Sequence, residues 1–122
     1  MFKYYLQPKH LELGTQIWFT SQDEYGIIIK TGKIVGFIDE DHDCYRVLSN
    51  DEEFELKDKQ VYTSESDVMH ANNIQLFELE GFINRIASIG DTIFAPNLES
   101  AKEIFKKKYP EVISIREADH WR

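Results

Sequence analysis

Asp39, Asp41 and Asp43 stand at alternate positions, the spacing that opens an EF-hand calcium loop. Such a loop needs a glycine at its sixth place for the sharp turn and a bidentate glutamate at its twelfth. Those places hold Cys44 and Asn50, and the flanks are apolar runs of strand length. The segment therefore reads as a solvated turn or a partner-facing surface, and no metal is expected. His42 and Cys44, two apart, would share a face of a strand and set a thiol beside an imidazole. Nucleophilic catalysis also needs a group to orient the base and an oxyanion site, and the surrounding acids work against a thiolate. Cys44 reads as structural. Asp67 and His70, three apart on a short helix, could form a side-chain pair or half of a metal site. No His-x-x-x-His or Glu-x-x-His completes it, so an exposed ion pair is the expectation.

Phosphate chemistry has little to stand on. Gly32 and Gly36 lie within apolar runs, with no Gly-x-Gly-x-x-Gly and no Gly-Lys-Ser/Thr before a helix. A Gly-x-Ser-x-Gly elbow and a His-Glu-x-x-His pair are equally absent. Lys106, Lys107 and Lys108 are the cations that a helix dipole favours at its C-terminus. No catalytic residue and no cofactor is assigned.

Charge and composition narrow the classes further. The 122 residues carry a formal net charge of −8, and between Asp39 and Asp67 eleven acids face only Arg46, Lys57 and Lys59. That stretch alone accounts for the net charge. Binding to duplex nucleic acid draws its affinity from basic residues on phosphates, so direct DNA binding is not expected. Residues 1–8 show neither the basic region nor the apolar run of a secretory signal and no apolar run reaches about 18 residues, so neither a leader nor a membrane span is expected, and the single cysteine cannot form an internal disulfide. A cytoplasmic setting follows as the expectation. Apolar residues at 42% suffice for a core, and no linker or repeat divides the chain. We expect one domain over 1–122, mainly β over 1–63 and mixed over 64–122.

The positioning elements follow from periodicity. Phe2, Tyr4 and Leu6 alternate before Pro8 as a first short strand. Runs at 17–19, 25–30 and 33–38 follow, with Lys30-Thr31-Gly32-Lys33 as a tight turn between the last two. Residues 44–48, 54–56 and 60–63 complete a meander of about six strands with acidic turns. From Ser64 the period changes. Ser64 caps a short helix over 65–71. Leu76, Leu79, Phe82, Ile83 and Ile86 share one helical face, so 74–89 is read as helix, with a hairpin turning at Gly81 as the alternative. A strand at 91–95, a helix opening at Asn97 and closing at Lys106–Lys108, and a strand at 112–115 form a β-α-β unit, its strands parallel if they share a sheet. The class is α+β, with a small antiparallel barrel or curved sheet followed by helices and this unit.

Gly32 to Ile38, an acidic turn, Tyr45-Arg46-Val47, a second acidic turn and Val61-Tyr62-Thr63 resemble the SH3-like small barrels of the KOW and Tudor kind over residues 13–63. The resemblance lies in turn spacing and implies a barrel. Residues 95–117 are similar to the β-α-β tail of small phage and mobile-element proteins of unassigned role, which implies no chemistry.

The expected function is protein binding without catalysis. Its surface is assigned to Asp39, Glu40, Asp41, Asp43, Asp51, Glu52 and Glu53, together with Trp121, whose position and residue type suit a binding hot spot. In its sharpest form, carboxylates on rigid hairpins imitate DNA phosphates and occupy the groove of a basic nucleic-acid-binding protein, as a phage-encoded inhibitor in the host cytoplasm would. The alternative is a small enzyme or metabolite-binding protein with a pocket between the halves, using His42, His70 or Asp67 as acid or base.

Overall fold

A computed structural model describes residues 11–38 and 43–118. They fall into two compact units, one built from residues within 11–20 and 29–68, the other from 21–28 and 69–118. No helix among the described residues is long and apolar enough to cross a membrane.

Strands β1 (Gln16–Asp23), β2 (Gly26–Phe37), β3 (Cys44–Ser49) and β4 (Glu52–Lys57) form a sheet in the order β1-β2-β3-β4, all of it in the first unit except residues 21–28 at the joined ends of β1 and β2. Strand parity sorts the side chains. Ile17 and Phe19 of β1, Ile34 of β2, Tyr45 and Val47 of β3 and Leu56 of β4 point inward and, with Val61, make one buried cluster. Half-buried Leu11, Phe37 and Phe54 pack against it. The β3–β4 connection is a two-residue turn in which Asn50 (φ 51°) and Asp51 (φ 67°) both take the left-handed conformation. Such a turn matches the right-handed twist of the strands it joins. After β4 a 3-10 turn, Asp58–Gln60, leads to Tyr62, which bridges antiparallel to Trp18 of β1. This isolated bridge pairs the chain after β4 with β1, and Val61 packs beside Ile17 and Phe19; no closed barrel forms among the described residues.

One expectation is overturned here. Residues 25–38 are not two strands around Lys30–Lys33; β2 runs unbroken for 12 residues, and the turn before it lies at Glu24–Tyr25. The Asp23 carboxylate accepts the amides of Tyr25 (2.8 Å) and Gly26 (3.1 Å) and holds that turn. Gly32 is there for close approach: a Cβ on it would stand 2.6 Å from the Leu48 carbonyl oxygen. The run at 60–63 likewise forms no strand of its own, because Gln60 belongs to the 3-10 turn and Tyr62 pairs with β1 as an isolated bridge. The expected strand at 2–6 lies outside the described residues.

Helix α1 (Glu65–Ala71) forms where read, with the Ser64 hydroxyl accepting the Asp67 amide at 3.1 Å. In the second unit, β5 (Gln75–Phe82), β6 (Ser88–Ala95) and β7 (Ser114–Glu117) form a sheet in the order β6-β5-β7, both neighbours antiparallel to β5. Helix α2 (Leu98–Lys108) packs on it through Ala101 and Phe105 against Leu79, Ile93 and Ala95. β6-α2-β7 is thus a β-α-β unit with parallel strands separated by β5. The Asn97 side chain caps α2 on the Ser100 amide (2.8 Å), and Lys106 Nζ closes its other end on the carbonyls of Pro110 (2.9 Å) and Val112.

The helix expected over 74–89 is replaced by the β5–β6 hairpin, turning at 83–87 rather than at Gly81. The helical stripe would have buried Leu76 and Ile86, which are 41% and 94% exposed. The buried parity is Phe77, Leu79 and Gly81, and Gly81 carries no side chain because Phe105 and Val112 occupy the space above it.

Candidate functional site

The β3–β4 hairpin carries the assigned acids that the structure describes. Glu52 and Ser49 flank the turn as partners, followed by Glu53↔Leu48, Phe54↔Val47 and Glu55↔Arg46. Directly opposed residues share a face, so Glu53, Glu55, Leu48 and Arg46 point outward while Phe54 and Val47 point into the core. β2 adds Lys33, opposite Leu48, and Val35, raised in a bulge between Ile34 and Gly36. Arg46 lies flat across Gly36, where a Cβ would come within 3.0 Å of its guanidinium.

Val35, Leu48 and Lys33 line a shallow groove of about 370 Å³ together with Gln16, Thr31 and Asp51. Val35 is 43% and Leu48 39% exposed. Glu52 pairs with Lys30 at 3.6 Å, whose ammonium also lies 5.0 Å from the centre of the Phe54 ring. Glu53 and Glu55 make no ion pair among the described residues.

The structure therefore brings Asp51, Glu52 and Glu53 together and adds Glu55 to them. Asp43 precedes the far end of β3, its carbonyl accepting the Asp58 amide at 2.8 Å. Six strand residues separate it from the turn, about 20 Å at the usual rise. Asp39, Glu40, Asp41, His42 and Trp121 lie outside the described residues. Val35 and Leu48 were missed as site residues, although a signal existed: Leu48 shares the parity of Arg46, against Tyr45 and Val47.

Beneath the hairpin, the Tyr45 hydroxyl donates to Asp58 Oδ1 at 2.6 Å and accepts the Leu11 amide at 3.4 Å. Burial, reinforced by the Asp58 carboxylate, pushes its pKa up to about 12. It is a proton kept in place.

A second polar cluster, unmarked by any motif, sits in the second unit. Asp91 Oδ2 accepts from Lys108 Nζ and from the Tyr109 hydroxyl, both at 2.8 Å, and Asp91 Oδ1 accepts the Thr92 amide at 2.8 Å. The Lys108 ammonium also lies 5.7 Å from the centre of the Tyr25 ring. Burial raises the Asp91 carboxyl, but the hydrogen bonds from Lys108, Tyr109 and Thr92 outweigh it and hold the group below its ordinary range. The same carboxylate holds Lys108 and Tyr109 above theirs, so the lysine stays charged and the phenol protonated. A base or nucleophile needs the opposite perturbations. The cluster fastens the end of α2 to β6. On the same sheet, Arg116 grips Glu80 Oε1 through Nε (3.2 Å) and Nη2 (2.9 Å).

Asp67 and His70 are both exposed on α1, and no group of three potential ligands that could hold a metal occurs among the described residues. Cys44 is half-buried at the start of β3. A smaller hollow of about 260 Å³ in the second unit is lined by Ile27, Ile74, Phe94, Pro96 and Ile104 and has no ionisable group in its walls. No protein family, curated protein or solved structure matches the chain.

Proposed function

We propose that this chain is a non-catalytic protein-binding module of SH3-like topology, and that the outer face of β2–β3–β4 receives a basic segment of a partner protein. The observation that carries the reading is the pair of exposed apolar residues Val35 and Leu48 in one groove, with Asp51 and Lys33 in its lining and Glu53 directly across from Leu48 on β4. An apolar floor with a charged rim is the anatomy of a small interface. Covering what is exposed of the two side chains is worth about 3 kcal/mol by area, while each rim ion pair adds about 0.2–1 kcal/mol. The rim therefore contributes orientation, and the net charge of −8 contributes attraction at a distance. The strand order, the 3-10 turn after β4 and the return of Tyr62 to β1 support the SH3-like topology.

Proteins that bind nucleic acid are one source of such basic segments. Mimicry of DNA by a phage-encoded inhibitor is the narrower form of the reading. Along one strand, Asp51, Glu53 and Glu55 span about 14 Å, a length over which duplex DNA carries about eight charges. That form leans on Asp39, Glu40 and Asp41 for the remainder.

The test is an NMR titration of the labelled chain with two capped octapeptides, one alternating lysine with valine, the other glutamate with valine. The lysine peptide is expected to shift the amides of Val35, Leu48, Glu53 and Glu55, to weaken as salt is raised, and to lose binding in Leu48→Lys. Equal response to both peptides, or shifts confined to other residues, refutes the assignment.

A further inference from the structure

The backbone of β4 offers more than a place for carboxylates. In a two-residue hairpin the residues that flank the turn exchange both hydrogen bonds, and the pairs beyond alternate between bonded and non-bonded. With Ser49↔Glu52 as the first bonded pair, Phe54 and Leu56 also bond to β3, whereas Glu53, Glu55 and Lys57 turn their amides and carbonyls away from it. Two contacts bear this register out. The Lys57 amide donates to Gln60 Oε1 at 2.7 Å instead of to β3, and the Asp58 amide, next in the alternation, bonds to Asp43 O on the β3 side.

One end of the outer edge is thus closed by Gln60. Between that clamp and the turn, the amides and carbonyls of Glu53 and Glu55 have no partner in another strand among the described residues. Four backbone groups in a row, two donors and two acceptors, form a template for one added strand. Their side chains select what can be added. A strand laid antiparallel on this edge sets its own residues about 4.8 Å from Glu53 and Glu55, where like charges repel and opposite charges attract. A second copy of β4 would bring glutamate to glutamate and is disfavoured; a strand with lysine or arginine at alternate positions is matched.

We propose that the basic partner segment binds as an added β-strand, pairing its backbone with Glu53 and Glu55 of β4 and placing alternate basic side chains beside their carboxylates. This rests on the protein-binding reading above but places the segment at the sheet edge, about 10 Å from β3 and about 14 Å from β2, beside Glu53 and Glu55 and clear of the Val35–Leu48 floor, so that the two contacts are tested separately.

The test uses the full chain and the lysine–valine octapeptide in two forms, unmodified and N-methylated at alternate lysines, whose amides face β4 when lysine lies opposite Glu53 and Glu55, which removes those backbone donors while keeping every side chain. The expected results are at least tenfold weaker binding of the methylated form and slowed hydrogen exchange at the Glu53 and Glu55 amides with the unmodified one. Glu53→Gln with Glu55→Gln should weaken binding severalfold without changing which amides are protected. If both peptides bind equally well and those amides stay unprotected, the edge mode is overturned while the groove reading survives. If neither peptide binds, both fall. If the chain dimerises without peptide and protects the same two amides, the edge belongs to a second copy and the proposal is wrong.

Discussion

Replacing Gly81 with alanine tests the packing of the second unit at its tightest point. An added Cβ would stand 2.4 Å from Phe105 Cε1, 2.8 Å from Val112 Cγ1 and 3.1 Å from Phe105 Cζ. Ordinary contact begins near 3.4 Å, so the ring must retreat by about 1 Å in a core packed as densely as an organic crystal. Phe105 is fully buried, and its neighbours Ala101, Leu79 and Ile93 are themselves buried. Overpacking of this kind costs about 1–3 kcal/mol, with the upper half of that range expected because two side chains are struck at once. Alanine recovers about 0.5–1 kcal/mol over glycine through the unfolded chain, since the φ of Gly81 is not one of the positive values that demand glycine. The net expectation is a loss of about 2 kcal/mol, read by urea unfolding followed through second-unit amides. A double-mutant cycle makes it specific: Phe105→Leu is destabilising alone, yet should lower the cost of Gly81→Ala by at least 1 kcal/mol. Unchanged or raised stability in Gly81→Ala, or strict additivity in the cycle, would show that Phe105 does not stand over β5 as described.

Tyr45 links stability to pH at the alkaline end. Its folded pKa of about 12 lies above the ordinary 10, so its contribution is complete below pH 10 and is lost as the pH climbs toward 12. Ultraviolet titration should find Tyr45 and Tyr109 ionising late, and Tyr45→Phe should remove one of the two; an undiminished number of late phenols in Tyr45→Phe refutes it. Asn97→Ala should cost about 1 kcal/mol by removing the cap on Ser100, measurable by thermal unfolding, with Asn97→Ser close to wild type.

Where local chemistry and periodicity agreed, the elements were legible. α2 was read from its cap, its apolar spacing and its terminal lysines, and the β3–β4 hairpin from alternation on both sides of Asn50-Asp51. The failures share a physical cause. Gly32 reads as a turn and Gly81 as mid-helix, or a turn in the alternative, but both lie inside strands because a neighbouring backbone or ring fills the space of a side chain. With Gly81 silent, the alternation of Phe77 and Leu79 was cut short, and a coincidental helical stripe from Leu76 to Ile86 prevailed. The acidic turn residues of the site were legible from charge; the groove was not, because its apolar pair becomes adjacent only through the register of β2 on β3 and the bulge at Val35. The Asp91–Lys108–Tyr109 cluster joins residues 17 and 18 positions apart and has no local signature.

The division of the chain also sets an order of events at the ribosome. Residues 21–28, with Asp23 and Tyr25, count with the second unit, yet 40 residues of the first unit, 29–68, are translated before any more of the second appears. At about 5–20 residues per second that is a wait of roughly 2–8 s. All four strands of the first sheet are translated before it ends. The end of the β1–β2 hairpin then stands finished but uncommitted, an early-made piece onto which a late-made unit assembles.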